Sequence, residues 1–210
     1  MTAVSIEEQV VADQGAGPYA ITTGPDGALW FTLVQGGRIG RLVPGAEPTS
    51  HRLDPACGPT IIVTGPDGAL WFTEYQAHRI GRITTGGTVT EFSPPTPDCG
   101  PFGIAAGPDG GSWFVEIAAG QIGRIGADGL IEEFPLPDRS ARPHAITPGD
   151  DDRLWFTEWG RNRVGSTAPD GRIDVYELPT ANSEPHGITL GPDGALWTAL
   201  EIGALARVTP

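Results

Sequence analysis

The chain has 210 residues, long enough to enclose one substantial hydrophobic core or two small ones. Its net charge of −13 argues against a nucleic-acid partner, because binding a polyanion requires a basic patch. The sequence has no apolar run near the roughly 20 residues of a membrane span, and its N-terminus has no secretory signal pattern. We therefore expect a soluble, cytoplasmic, single-domain protein that binds neither nucleic acid nor membrane.

Glycine and proline are abundant, with 31 and 21 residues, yet aromatic residues persist along the chain, which indicates a turn-rich fold rather than disorder. The two cysteines, Cys57 and Cys99, occupy the matching contexts "PACGP" and "PDCGP". We predict two reduced, buried thiols, and a disulfide between neighbouring repeats is the alternative.

The first predicted element is the strand-like segment "VSIEEQVV", residues 4–11. Five repeats follow, and one tryptophan marks each at a spacing of 41 or 42 residues: Trp30, Trp71, Trp113, Trp155 and Trp197. In order, a repeat contains an Ile- and Thr-rich strand, a tight "GPDG" turn, a strand such as "ALWFTE", a strand such as "RIGRI" and an outer strand such as "VTEF". Four strands in about 42 residues, without a helical pattern, predict an all-β fold, a β-propeller of about five four-stranded blades. A β-solenoid is the alternative, although its repeats are usually shorter.

The last repeat stops at "RVTP" and lacks an outer strand, which the N-terminal segment resembles. We predict that this N-terminal strand completes the last blade, so that both termini seal the ring and no sheet edge is exposed.

The last two repeats depart from the template. Where the first three read "GPY", "GPT" and "GPF", the fourth reads "RPH" and the fifth "EPH", which places His144 and His186 at equivalent positions. The open end of the fifth hairpin brings His186 near Glu201, and Glu184 would point to the same side in an extended strand. His144 and Trp159 occupy the corresponding places in the fourth repeat. We therefore predict a functional cluster at one mouth of the channel.

Polar residues that recur from blade to blade are interpreted as structural. We expect inter-blade hydrogen bonds from the glutamates after "WFT" or "WFV": Glu74, Glu116 and Glu158. We expect a solvated or blade-bridging ring from the arginines of "IGR": Arg41, Arg82 and Arg124. His51 and His78 are expected to be solvated.

Two histidines with two carboxylates are compatible with a divalent cation, a general base, or both. Carboxylate oxygens suit Mg²⁺ or Ca²⁺, imidazole favours Zn²⁺, and the spacing does not decide. A metal that polarises a carbonyl acidifies the neighbouring carbon, and an imidazole can accept that proton near neutral pH.

The phrases "ARPHAIT", "LWFTEWG" and "SEPHGIT", with "LE" after the last "LW", resemble the last two blades of the streptogramin B lyase family, also called virginiamycin B lyase. The resemblance runs through nearly the whole chain. It implies that a base removes the α-proton of the threonine whose side chain forms the lactone of a cyclic depsipeptide antibiotic. A Mg²⁺-dependent β-elimination then expels the carboxylate.

Carried over by motif position, the resemblance assigns the general base to His186 and the Mg²⁺ ligands to Glu184 and Glu201, directly or through water. His144 would assist at the leaving carboxylate or support the site. Two aromatic residues would contact the substrate: Trp159 and Tyr19.

Members of the family have seven blades, whereas this chain has five repeats, so the resemblance implies that two middle blades are absent. The chain would close as a five-bladed monomer, or stay open and pair with another copy. Two other functions stay open: a metal-dependent lactonase, which would add water, and a non-catalytic binding propeller with a relic site.

Overall fold

The computed structural model describes residues 6–210, which form five antiparallel sheets in a row, the blades of a β-propeller. Blade 1 contains β1 (Pro18–Thr23), β2 (Leu29–Leu33), β3 (Arg38–Leu42) and β4 (Thr49–Arg52). Blade 2 contains β5 (Pro59–Thr64), β6 (Leu70–Glu74), β7 (Arg79–Ile83) and β8 (Val89–Phe92). Blade 3 contains β9 (Pro101–Ala106), β10 (Ser112–Glu116), β11 (Gln121–Ile125) and β12 (Ile131–Pro135). Blade 4 contains β13 (Pro143–Pro148), β14 (Leu154–Glu158), β15 (Arg163–Thr167) and β16 (Ile173–Glu177). Blade 5 contains β17 (Pro185–Leu190), β18 (Leu196–Leu200) and β19 (Ala204–Val208).

The all-β propeller prediction is confirmed. Apart from a single 3₁₀ turn at Trp159–Arg161, residues 6–210 contain no helix. Accordingly, the described part of the chain has no helix that could cross a membrane.

An aspartate in the "GPDG" turn organises each blade. In blade 1, Asp26 Oδ1 accepts hydrogen bonds from the backbone N–H of Ala28 at 3.3 Å and from Trp30 Nε1 at 3.0 Å. Asp26 Oδ2 accepts from Arg41 Nε at 2.9 Å. Burial raises the pKa of Asp26, but the hydrogen bonds from Trp30 and Arg41 outweigh it and leave the pKa below its usual value. One carboxylate thus holds the turn, the central indole and the third strand together.

The same arrangement recurs in three other blades, through Asp67–Trp71–Arg82, Asp109–Trp113–Arg124 and Asp193–Trp197–Arg207. The predicted blade-bridging role of Arg41, Arg82 and Arg124 was therefore wrong, because each pairs within its own blade, although about a quarter of each side chain is exposed to solvent. The turn and the third strand lie side by side in each blade, so the carboxylate nearest to the arginine is the turn aspartate of the same blade.

From blade 1 to blade 4, the indole of each blade packs against the phenylalanine of the next blade. Trp30 and Ile39 of blade 1 lie in one cluster with Ile62 and Phe72 of blade 2. The phenylalanine needs a glycine beneath it, since a Cβ at Gly81 would lie 2.1 Å from the Phe72 ring. The "IGR" glycine therefore makes room for the ring that fills the inter-blade core.

Threonine hydroxyls, rather than the glutamates, make the hydrogen bonds between blades. Thr32 Oγ1 donates to the backbone carbonyl of Thr60 at 2.7 Å, and Thr73 Oγ1 donates to that of Phe102 at 2.7 Å. In the last pair of blades, Thr157 Oγ1 donates to the carbonyl of His186 at 2.8 Å.

The three glutamates bond inside their own blades, which corrects the predicted inter-blade role while keeping it structural. The partner is the first residue of the following strand, directly opposite in the hairpin: Arg79 for Glu74, Gln121 for Glu116 and Arg163 for Glu158. All three carboxylates belong to fully buried residues, so each depends on this partner.

The N-terminal segment does not complete the last blade. Residues 6–17 form no strand, blade 5 has three strands, and Val11 and Ala12 pack against Phe31 and Leu33 of blade 1. The prediction was therefore wrong for the described residues, and its first two positions, Val4 and Ser5, lie outside them. The apolar side chains of Val11 and Ala12 are partly buried against the apolar face of blade 1 instead of pairing with the edge of blade 5.

The row of blades is open between blade 5 and blade 1. The first strands of consecutive blades contact one another from β1 to β17, but no comparable contact joins blade 5 to blade 1 among residues 6–210. Apolar side chains on the two end blades remain exposed, with 64% of Ile21 and 67% of Leu205 accessible.

Cys57 and Cys99 are buried and unpaired, so the prediction of reduced thiols is confirmed. Burial, followed by the charge of Glu74, raises the pKa of Cys57 to about 12. Burial likewise raises the pKa of Cys99. Both thiols are therefore protonated and unreactive near neutral pH.

Replacement of Glu116 by glutamine should weaken the pH dependence of stability. Burial raises the pKa of Glu116 to about 7, above its ordinary 4.5, so the folded state binds the proton more tightly. This stabilisation is complete below pH 4.5 and is lost as the pH rises through about 7. Between these values the free energy of unfolding should fall about 3 kcal/mol less in Glu116→Gln than in the unmodified chain. Denaturant titrations at several pH values measure it.

The matched control is Glu47→Gln, because Glu47 lies exposed in a turn. This variant should retain the pH dependence of the unmodified chain. The interpretation of Glu116 is overturned if Glu116→Gln retains it as well.

Candidate active site

The hairpin of blade 5 brings His186 and Glu201 into contact, as predicted. Pro185 at the start of β17 pairs with Leu200 at the end of β18, so His186 and Glu201, which each follow one of these residues in sequence, are diagonal neighbours at the open end. His186 Nε2 lies 2.6 Å from Glu201 Oε1. The pKa of Glu201 is lowered, first by the hydrogen bond with His186 and second by one with Glu184. An ionised Glu201 therefore holds the imidazole.

Glu184 joins the cluster through an unusual backbone conformation. The sequence analysis assumed an extended strand, but Glu184 has φ = 46°, in the left-handed region. The assumption was wrong because Glu184 occupies the place of Gly17, Gly58 and Gly100, whose φ values are 67°, 59° and 64°. A side chain in this conformation costs about 1 kcal/mol or more, and such strain concentrates at functional sites.

Arg142 is the residue of this region that the sequence analysis missed. It fills the same glycine position in blade 4 and has φ = 52°. The detectable signal was the replacement of Gly-Pro by Arg-Pro, the counterpart of the Glu-Pro that identified Glu184. Two adjacent blades thus tolerate strain at the same mouth, one to present a cation and the other a carboxylate.

His144 and His186 lie against each other at the mouth. Their ring centroids are 4.9 Å apart with perpendicular planes, and the Phe102 ring lies 4.7 Å from His144 on its other side. Burial, and then the neighbouring His186, lower the pKa of His144, so its imidazole is neutral near pH 7. His144 Nδ1 is buried and has no hydrogen-bond partner among the described residues.

Trp159 connects the histidines with Arg142. Its ring centroid lies 6.1 Å from that of His186, and the Arg142 guanidinium carbon lies 5.3 Å from the Trp159 ring, within the range of a cation–π interaction. Trp159, Arg142 and Glu184 line one cleft of about 360 Å³. The prediction that Trp159 belongs to the cluster is consistent with this placement.

Tyr19 is not part of this cluster. It occupies the matching position in β1 of blade 1, is 56% exposed and lines an apolar groove with Val11 and Ile21. No strand of blade 1 makes extensive contact with blades 4 or 5 within the described residues. Tyr19 therefore lies outside the histidine cluster, and its contact with the substrate stays a prediction.

The donor chemistry of the cluster fits a magnesium ion. Residues 6–210 contain no group of three or more His, Cys, Asp or Glu side chains arranged to hold a metal. Magnesium needs only one or two protein carboxylates, because water fills the remaining positions. The neighbouring carboxylates of Glu184 and Glu201 supply that number.

Known proteins resemble this chain along its whole described length. Residues 4–114 and 103–208 match the model of the virginiamycin B lyase family. The virginiamycin B lyase of Saccharopolyspora erythraea is 61% identical over 94 residues, which are 45% of this chain and 31% of that protein.

Two solved structures are also similar. A streptogramin B lyase structure has 46% identity and a TM-score of 0.88, covering 93% of this chain and 66% of that one. A catalytically inactive His-to-Ala variant of the Staphylococcus aureus virginiamycin B lyase, solved with quinupristin, has 43% identity and a TM-score of 0.92. This match covers 97% of this chain and 70% of the solved chain. This chain thus spans about two thirds of the solved relatives and belongs to the virginiamycin B lyase family.

Proposed function

We propose that this protein is a lyase that opens the ring of type B streptogramin antibiotics by β-elimination at the threonyl ester. The observation that carries the proposal is the contact between His186 and Glu201, at the open end of a strained hairpin and against a second histidine. Family membership and the quinupristin complex of a relative support the substrate class, a cyclic depsipeptide.

Glu201 orients the proposed base. An ionised carboxylate only accepts hydrogen bonds, so the neutral imidazole of His186 must carry its proton on Nε2. The lone pair then lies on Nδ1, which is the atom that would take the α-proton of the threonine. Glu201 also stabilises the imidazolium that forms, as a carboxylate does in other base–orienter pairs.

The reaction balances without added water. The α-carbon loses its proton to His186, and the electron pair of that C–H bond forms a double bond between the α- and β-carbons. The bond between the β-carbon and the ester oxygen breaks, and its electron pair leaves on the carboxylate. His144 is neutral because its pKa is lowered, so a nitrogen-bound proton on its imidazole can hydrogen-bond the leaving group. Trp159 would hold the substrate against the histidines.

Glu184 and Glu201 are the residues that would hold Mg²⁺, which when bound supplies Lewis-acid polarisation of the substrate carbonyl. One Glu201 oxygen contacts His186, and the other is available for a metal or its water.

Incubation with a type B streptogramin and Mg²⁺ should give a linear product of unchanged mass and altered chromatographic retention. The product should be lost with a chelator and reduced at least 100-fold in His186→Ala, because removing a general base costs about that much. Chromatography with mass spectrometry distinguishes the outcomes, and His78→Ala is the control, since His78 lies on blade 2.

A product heavier by one water would indicate hydrolysis and exclude the elimination. Absence of any product would exclude the proposed activity and favour a binding propeller.

Replacement of Thr157 by valine should lower the turnover number of the elimination about ten-fold and change KM little. The hydroxyl of Thr157 fixes the backbone carbonyl of His186, so its loss should misplace the base without removing substrate contacts. The fold tolerates valine at this position, because Val115 occupies the equivalent position in blade 3.

The control is Thr73→Val, which removes the same bond between blades 2 and 3. Both variants should lose about 1 kcal/mol of stability, whereas only Thr157→Val should lose turnover, and Thr157→Ser should recover it. Equal turnover in the two valine variants would show that Thr157 is only structural.

A further inference from the structure

We infer that Arg142 binds a carboxylate beside Trp159, and that this is the carboxylate released when the ester opens. The inference deepens the proposed function, since the ligand is the acid group of the linear product. It rests on the backbone, the free charge and the location of Arg142.

The backbone of Arg142 carries strain that the fold does not require. Three blades use glycine at this position with φ between 59° and 67°, whereas Arg142 has φ = 52° with a full side chain. Within residues 6–210 the Arg142 guanidinium has no hydrogen bond and no ion pair, and it lies over the Trp159 ring at 5.3 Å. A cation–π contact at an exposed site contributes about 0.5–1 kcal/mol, which offsets only part of a backbone strain of about 1–3 kcal/mol. The remaining cost indicates that the side chain is retained for what it binds.

Two other polar side chains of the cleft are already engaged, those of Arg161 and Asn162. Arg161 Nε is 2.5 Å from Asp138 Oδ2, and the Asn162 side chain bonds Thr180 and Ser183. Arg142 is thus the cation of this cleft that has no carboxylate within 4.0 Å among the described residues. In a chain with net charge −13, a cation left without an anion is a natural site for an anionic ligand.

The location suits the leaving group. The Trp159 ring neighbours both groups, with 5.3 Å to the Arg142 guanidinium carbon and 6.1 Å to the His186 imidazole centroid. A proton taken at His186 and a carboxylate expelled toward Arg142 would both lie beside this ring. The planar guanidinium can donate two parallel hydrogen bonds to a carboxylate, a geometry that an uncharged ester carbonyl does not match.

Direct binding measurements test the inference independently of turnover. The probes are the linear antibiotic, prepared with an active lyase of the family, and its methyl ester, which lacks the charge. Isothermal titration should give an affinity about ten-fold higher for the acid than for the ester. The ester has no charge and so cannot form the charge-assisted hydrogen bonds with the exposed Arg142. Arg142→Gln should abolish this preference.

Two further variants control for folding and for general charge. Arg142→Gly should raise the thermal midpoint, since glycine is the residue of the other blades, and should also lose the preference. Arg172→Gln removes an exposed arginine from the turn at the other end of blade 4 and should retain it.

A preference that persists in Arg142→Gln, or no preference in the unmodified chain, would overturn the inference. If the preference is present but no elimination occurs, the carboxylate site stands and the proposed lyase activity fails. If elimination occurs without the preference, the lyase activity stands and Arg142 is not its carboxylate site.

Discussion

The turn aspartate of each blade is the interaction on which the rest of the structure depends. Asp26 closes its turn, holds the indole of Trp30 and receives Arg41, so one carboxylate fixes three strands relative to one another. The indole is also the surface onto which the next blade packs. The angle between blades, and with it the convergence of side chains at the mouth, follows from these local bonds.

Blade 4 shows how the arrangement tolerates substitution. Asp151 still accepts from Trp155 Nε1 at 3.1 Å, but Ser166 stands where other blades have the arginine. Arg153, from the preceding turn, donates to Ser166 and to Asp174 instead. The arginine of blade 4 comes from a different position in the sequence but bonds the same strands. Blade 4, which carries His144, therefore keeps side-chain hydrogen bonds that hold its strands together.

The repeat period was sufficient to predict the blades, because strand length, turn residues and tryptophan spacing are local properties. It also predicted the meeting of His186 and Glu201, since a hairpin register follows from its turn. The partner of Glu74 was predictable in the same way, because Glu74 lies directly opposite Arg79. The inter-blade interpretation failed because recurrence indicates a structural role but does not identify the partner.

Other features could not be read from local pattern. The position of the N-terminal segment depends on which apolar face is uncovered, and that is a property of the assembled blades. The left-handed backbone at Arg142 and Glu184 shows only when repeats are compared, because the other three blades have glycine at this position. Separation of Tyr19 from the histidines follows from an open row of blades, which no single repeat encodes.

The open row also determines where the molecule is least supported. A protein built of stacked repeats gains stability from nearest-neighbour interfaces, so a terminal repeat is held on one side only. Blade 5 has three strands, one neighbouring blade, and both His186 and Glu201. Its opening free energy is therefore set by a single interface with blade 4, in which Thr157 supplies a hydrogen bond. Within residues 6–210, the proposed chemistry would therefore take place in a blade with one neighbouring blade, and the contacts that hold this blade would also govern the access of a bulky ring to the histidines.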